Sequence, residues 1–250
     1  MLKIEGLIKR FGGLIATNDV SLEFATGSLN AVIGPNGAGK TTLFNLITGH
    51  LRPDTGRVLL DDEDLVGLKQ TEIVRKGLAR AFQVASIFPT LTVREAMAAS
   101  VQSHRGEWRS LWGRFASAGV RQRADELLEL LGLTDVAEVL SRNLSHGDQK
   151  LLDIGLALAA EPRVLLLDEP TAGMGPEERW QMIEKVQALW KGGHMTLIFI
   201  EHDMDIVFKI AQTVRVLRYG AVLAEGSPEE IRNNPEVIEA YLGHPETEAA

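Results

Sequence analysis

The stretch Gly34 to Thr42 reads GPNGAGKTT, and its residue types suit one task, the holding of nucleotide phosphates. It satisfies G-x-x-x-x-G-K-[ST] through Gly34, Gly39, Lys40 and Thr41, with Pro35, Asn36, Gly37 and Ala38 between them and Thr42 following. Glycines let successive backbone N–H groups turn inward around phosphate oxygens, and a helix N-terminus adds positive potential. At this spacing the Lys40 ammonium reaches the β- and γ-phosphates and the Thr41 hydroxyl ligates Mg²⁺. An apolar strand candidate precedes the pattern and the helical TLFNLITG follows it. That context separates a phosphate loop from a glycine-rich turn with an incidental lysine.

A phosphate loop needs an acidic partner at the carboxyl end of a neighbouring strand. RVLLLDEP supplies Asp168, which would hold Mg²⁺ directly or through water, and Glu169, which could orient the attacking water as general base. Without the loop upstream, the same residues would read simply as a strand ending before Pro170. His202, in IFIEHDMD, follows another apolar run and could contact the γ-phosphate, although a lone histidine there also suits a structural role. Gln83, in ARAFQ, could reach Mg²⁺ and the γ-phosphate region. LSHGDQ, residues 144–149, precedes the helical KLLDIGLALAA. Ser145 can cap a helix beginning near Gly147, with Asp148 placed for a capping-box-like start, and a capped N-terminus is also an anion site. The stretch therefore reads both as a helix start and as half of a ligand site.

The elements that would position these residues follow from periodicity. LNAVIG (29–34), RVLLLD (163–168) and MTLIFIE (195–201) are apolar with little alternation, as in strands of a parallel sheet covered on both faces. Between the first two runs, TVREAMAASVQ and RQRADELLELLGL carry apolar residues at helical spacing, which predicts a helical insertion in an α/β core. Ser227-Pro228-Glu229-Glu230 carries a cap, a first-turn proline and a capping-box glutamate. Asn234-Pro235 starts a second short helix that Gly243 stops.

Composition narrows the classes. A chain of 250 residues can bury a full core. Its 26 lysines and arginines against 34 acidic residues give a net charge of −8, which argues against nucleic-acid binding through a general positive field. No cysteine is present, so disulfides, thiolate metal sites and a cysteine nucleophile are excluded, which fits the cytoplasm. The opening MLKIEGLIKRFGG lacks the apolar core of a signal peptide, and Glu161, Pro162 and Arg163 interrupt the most apolar region. The expectation is a soluble chain that reaches a membrane only through partners. Trp108 and Trp112, in HRGEWRSLWGRF, read equally as a docking or lipid-interface patch and as tryptophans tucked under a surface loop.

GPNGAGKTT, Gln83, LSHGDQ, VLLLDEP and EHD together resemble the ATPase subunit of ATP-binding cassette (ABC) transporters, over residues 1 to about 226. RFGGLIATNDVSL, GLARAFQ, LSHGDQKLLDIGLALA and RNNPEVIEAYLG resemble the branched-chain amino acid uptake group of that family over nearly the whole chain. The resemblance implies an α/β fold: a P-loop NTPase core with a mainly parallel sheet, a small antiparallel β subdomain and an inserted helical subdomain. It divides the chain into a nucleotide-binding core at 1–84 and 162–226, a helical subdomain at 85–161, C-terminal helices at 227–243 and a flexible tail at 244–250. Two such subunits would sandwich two ATP molecules head to tail, so that Ser145, His146, Gly147 and Asp148 complete the site of the facing subunit.

The same resemblance makes Gln83 a Mg²⁺ and coupling residue and His202 a γ-phosphate sensor. It places Phe11 where an aromatic ring stacks on adenine; tyrosine is commoner there, and a buried core phenylalanine is the alternative. SIFPTLTVREAM falls on the face that receives the membrane subunits. His146 and Asp148 depart from the usual L-S-G-G-Q, and Ala172-Gly173-Met174-Gly175 replaces the usual S-A-L-D, so the contacts of that last aspartate are not carried over. The implied function is an ATPase that powers import of amino acids or related small solutes, at the cytoplasmic face of the plasma membrane, with a second ATPase subunit, two permease subunits and a solute-binding protein. A lipid or lipopolysaccharide exporter would share these motifs. A soluble cassette ATPase of DNA repair or translation would usually show two fused cassettes or a long coiled-coil insertion, and neither is visible. The transported substrate is not legible.

Overall fold

Leu29–Ile33, Val164–Asp168 and Thr196–Ile200 are strands in which every residue is buried, which accounts for their lack of alternation. Each is within one residue of the expected run. The computed structural model describes residues 1–81, 88–106, 117–193 and 195–242. The chain forms two compact units, 1–70 with 196–250, and 71–195. Among the described residues no helix is long and apolar enough to cross a membrane.

In chain order the first unit begins with β1 (Leu2–Phe11), β2 (Leu14–Phe24), β3 (Leu29–Ile33), α1 (Lys40–Ile47), β4 (Thr55–Leu60) and β5 (Glu63–Asp64). At the boundary comes α2 (Gln70–Arg75). The second unit holds β6 (Leu78–Ala81), α3 (Val93–Arg105), α4 (Ala118–Leu131), α5 (His146–Leu158), β7 (Val164–Asp168) and α6 (Pro176–Gly192). The chain then returns to the first unit with β8 (Thr196–Ile200), α7 (Met204–Ile210), β9 (Thr213–Arg218), β10 (Ala221–Gly226), α8 (Pro228–Arg232) and α9 (Pro235–Leu242).

In the first unit β2, β1, β4 and β5 form an antiparallel sheet in that order, with Ile4 opposite both Leu22 and Val58. β3 lies between β8 and β9 and pairs parallel with both, while β10 runs antiparallel along β9. One buried arginine ties the two sheets together. Arg215 on β9 donates to Asn30 Oδ1 on β3 at 2.8 Å and to the Glu23 carbonyl on β2. It also pairs with Glu225 on β10 at 2.8 Å and lies 4.2 Å from the centroid of the Phe24 ring. Desolvation lowers its pKa, and Glu225 opposes that shift.

The second unit pairs β6 and β7 in parallel, Ala81 beside Leu167, and packs α3, α4 and α5 against one another. Local sequence marks the helix ends. Thr92 and Glu95 form a capping box at α3, Ser117 caps α4, and Gly106 and Gly132 end these helices in the left-handed region. The expected helix of LSHGDQKLLDIGLALAA starts at His146, directly after its cap Ser145, one residue before the anticipated Gly147. At the first unit's end, Ser227 and Glu230 form the expected capping box of α8.

α5 is buried on most of its surface, and at Gly155 the neighbouring helices leave no room for a side chain. A Cβ there would stand 2.5 Å from both Leu131 Cδ1 and Met97 Cε. Gly155→Val is expected to destabilise the protein by about 1–3 kcal/mol through overpacking, read as a lower urea midpoint. Gly192→Ala, where no described residue comes within 4 Å, should change stability by less than about 0.5 kcal/mol.

Candidate active site

The chain leaves β3 at Ile33 and curls through Gly34 to Gly39 into α1. Side chains are sterically forbidden at both ends of this curl. Gly34 has φ 151° and Gly39 φ 100°; a Cβ would stand 2.2 Å from the Leu217 carbonyl oxygen at the first and 2.4 Å from that of Ala16 at the second. The Gly220 N–H donates to the Ala38 carbonyl at 3.1 Å, so the turn joining β9 to β10 braces the loop. Lys40 is buried, and its Nζ donates to the carbonyls of Gly34 at 2.6 Å and Pro35 at 3.1 Å, which sets the ammonium inside the curl. Thr41 is exposed on the first turn of α1, where no acidic side chain and no side-chain cap offset the helix N-terminus.

The register Val32 to Ile200 brings the phosphate loop and His202 to the same end of two neighbouring parallel strands. His202 is exposed, and its N–H donates to Oε2 of the buried Glu201 at 3.2 Å. Phe11, at the end of β1, is 46% exposed, which removes the reading of a buried core phenylalanine. Lys9 Nζ lies 5.6 Å from its ring centroid and 3.0 Å from Asp54. The hydrogen bond from Lys9, then that from the Arg10 N–H, holds the Asp54 carboxyl below the usual carboxylate range. From α9, Tyr241 reaches the loop; desolvation pushes its phenol up to about 12, against the opposing hydrogen bond from the Gly34 backbone.

The carboxylates lie in the second unit. Asp168 ends β7 fully enclosed, with Oδ2 accepting from Arg80 on β6 at 2.5 Å. Its Oδ1 is buried without a hydrogen-bond partner among the described residues. A buried carboxylate oxygen lacking a donor fits a hard cation or a water on that cation. Among the described residues there is no cluster of three or more His, Cys, Asp or Glu side chains that could hold a metal. Magnesium suits such a sparse donor set, because nucleotide phosphates and water complete its shell. Glu169 follows with a left-handed backbone, φ 49°, so its side chain departs in a different direction from that of Asp168.

Ser145 Oγ accepts from the Asp148 N–H at 3.1 Å and donates to Asp148 Oδ2 at 2.8 Å. A capping box would instead bond the Asp148 carboxylate to the Ser145 N–H. Aspartate is one methylene shorter than the glutamate of that motif and settles on the hydroxyl. His146 Nε2 donates to the Ala172 carbonyl at 3.2 Å. Gly175, in the place of the usual aspartate, is the N-cap of α6, and Glu178 Oε2 accepts from its N–H at 3.1 Å. The phosphate loop, Phe11 and His202 thus belong to one unit, and Asp168, Glu169 and residues 145–148 to the other. Gln83, Trp108, Trp112 and Gly243 lie outside the described residues.

Arg80, Lys150 and Glu201 are buried or paired at these strand ends and escaped the sequence reading. For Arg80 the available signal was a lone charge in the apolar run LARAF; Lys150 and Glu201 stand beside other polar residues and carried none. Removing one partner of a buried ion pair strands the other charge, so Arg80→Met is expected to cost about 3–5 kcal/mol in chemical denaturation. Arg94 pairs with Asp125 and Glu138 while 37% exposed, and Arg94→Met should cost no more than about 1 kcal/mol.

The ABC transporter family model matches residues 17–172, and a second model, branched-chain amino acid ATP-binding cassette transporter, matches residues 221–247. The chain is 41% identical over 249 residues to the high-affinity branched-chain amino acid transport ATP-binding protein LivG of Escherichia coli K12, covering 97% of this chain and 98% of that one. It is 38% identical over 250 residues to BraF of Pseudomonas aeruginosa, a protein of the same description, with 97% and 98% covered. Among solved structures, a nucleotide-free ATP-binding cassette of an ABC transporter superposes with a TM-score of 0.84 at 32% identity, covering 97% of this chain and 99% of the other. The ADP conformation of such a cassette gives 0.85 at 31% identity, with 97% and 98% covered. The chain belongs to the ATP-binding cassette transporter family, as an ATP-binding subunit of its branched-chain amino acid group.

Proposed function

We propose that this chain binds and hydrolyses ATP to power a membrane complex that imports branched-chain amino acids or related small solutes. The observation that carries the reading is the braced phosphate loop, with Lys40 buried inside it, in a chain similar to LivG over nearly its full length. Lys40 exchanges the Gly34 and Pro35 carbonyls for β- and γ-phosphate oxygens, while the amides of Asn36 to Thr42 line the remaining phosphate surface. Phe11 presents the ring on which adenine stacks, which needs only a π-face. Thr41 and Asp168, with Gln83, would hold Mg²⁺, which would neutralise phosphate charge when bound. Glu169 takes the proton of the attacking water, and His202 keeps that water and the γ-phosphate in line.

Ser145 and the backbone N–H groups of His146 and Gly147, at the start of α5, cap the γ-phosphate bound by a facing ATPase subunit, either a second copy or a sister chain, while the Asp148 carboxylate, bonded to Ser145, points away from it. ATP then favours the closed pair because it gains contacts there that the open pair lacks. Two permease subunits and a solute-binding protein complete the complex, and the chain meets the inner membrane face only through them. The substrate contacts those subunits, so its identity is set outside this chain.

Glu169→Gln is expected to lower kcat for ATP by about 10² to 10⁴, while ATP binding is retained and a closed dimer accumulates. Near wild-type turnover in that variant would remove Glu169 from its role. Ser145→Arg should leave ATP binding by the separate subunit intact and abolish closure and hydrolysis, measured by nucleotide titration and size-exclusion chromatography. Loss of ATP binding by the separate Ser145→Arg subunit would contradict the assignment in trans.

A further inference from the structure

The first two turns of α5 hold the backbone that follows Asp168. His146 Nε2 donates to the Ala172 carbonyl at 3.2 Å, and Lys150, only 3% exposed, donates from Nζ to the Glu169 carbonyl at 3.3 Å. Between these two carbonyls the chain turns tightly. The Ala172 N–H returns to the Glu169 carbonyl at 3.1 Å, so that one oxygen accepts from both a backbone amide and the lysine. Glu169 is left-handed, a conformation that a non-glycine residue keeps only where its surroundings enforce it. Lys150 lines a small cavity together with Asp153 and Asp168. His146 explains a departure in LSHGDQ, because a glycine there would offer no ring donor. Gly173 leaves room for the ring: a Cβ at that position would stand 3.1 Å from His146 Nε2.

We propose that His146 and Lys150 are positioning residues for Glu169, clamping the 169–172 turn to the helix that Ser145 starts. The inference rests on Glu169 being the general base. Its consequence is communication between two nucleotides. Ser145 engages ATP on the facing subunit, whereas Glu169 acts on ATP in its own, and the clamp makes the two move as one body. Engagement on one side therefore sets the aim of the base on the other.

Lys150→Met keeps the apolar stem and removes the donor, and Lys150→Arg keeps a charged donor. With purified full-length chain and Mg·ATP, Lys150→Met is expected to lower kcat at least tenfold with KM for ATP within twofold, and Lys150→Arg to recover most of the loss. His146→Phe, at an exposed site, should lower kcat at least threefold with KM unchanged, and His146→Gln should restore it. Wild-type kcat in folded Lys150→Met would overturn the clamp, as would equal losses in Lys150→Met and Lys150→Arg accompanied by a raised KM. If Lys150→Met does not fold, the His146 pair decides: wild-type kcat in His146→Phe overturns the proposal. Glu169→Gln serves as the reference. Near wild-type turnover there removes the base itself, whereas its loss beside full activity in the Lys150 and His146 variants removes the clamp alone.

Discussion

Backbone amides can surround an anion only where no side chain stands in front of them, and this constraint shapes the whole first unit. Gly34 and Gly39 approach the carbonyls of Leu217 and Ala16 so closely that any Cβ would collide. β2 and the end of β9 therefore press directly on the loop backbone, and the Gly220 turn hydrogen-bonds to its middle. The same contact fixes where α1 begins and which way its amides face. Arg215, tying β2, β3, β9 and β10 through one guanidinium, keeps the two sheets of that unit in the relation the loop requires.

A division of labour runs through the residues of the site. Those assigned to ligand or partner, Phe11, Thr41, Ser145 and His202, are exposed. Arg80, Lys150 and Glu201, which bond to Asp168, to the Glu169 carbonyl and to the His202 N–H, are almost fully enclosed. Burying a charge costs free energy unless it is paired, and each of these sits where a strand end or turn supplies a partner. Asp168 is both. One oxygen is committed to Arg80 and the other has no donor among the described residues, so β6 orients the carboxylate without using both of its oxygens.

Much of this was legible in the sequence because the signals were local. GPNGAGKTT, the three unalternating apolar runs and the caps Ser145 and Ser227 each declare themselves within a few residues. The antiparallel strands β1 and β2 did not, since register shifts between Ile4 and Phe11 break the alternation that would have marked them. Lys150 finds its partner 19 residues away and Arg80 its partner 88 away, separations that no local pattern encodes. Asp148 failed in a finer way. Its position suits a capping box, but its shorter side chain reaches the Ser145 hydroxyl instead of the backbone.

The most direct measurement concerns where the Ser145 helix end meets phosphate. The chain contains no cysteine, so a variant carrying Asn36→Cys and Ser145→Cys has only two thiols, one on the phosphate loop and one on the cap of α5. Under mild oxidation the expected result is a disulfide between chains that forms with ATP in a hydrolysis-deficient Glu169→Gln background and fails to form with ADP. A disulfide formed within one chain, or one between chains at the same rate without nucleotide, would contradict an ATP site completed by the facing subunit.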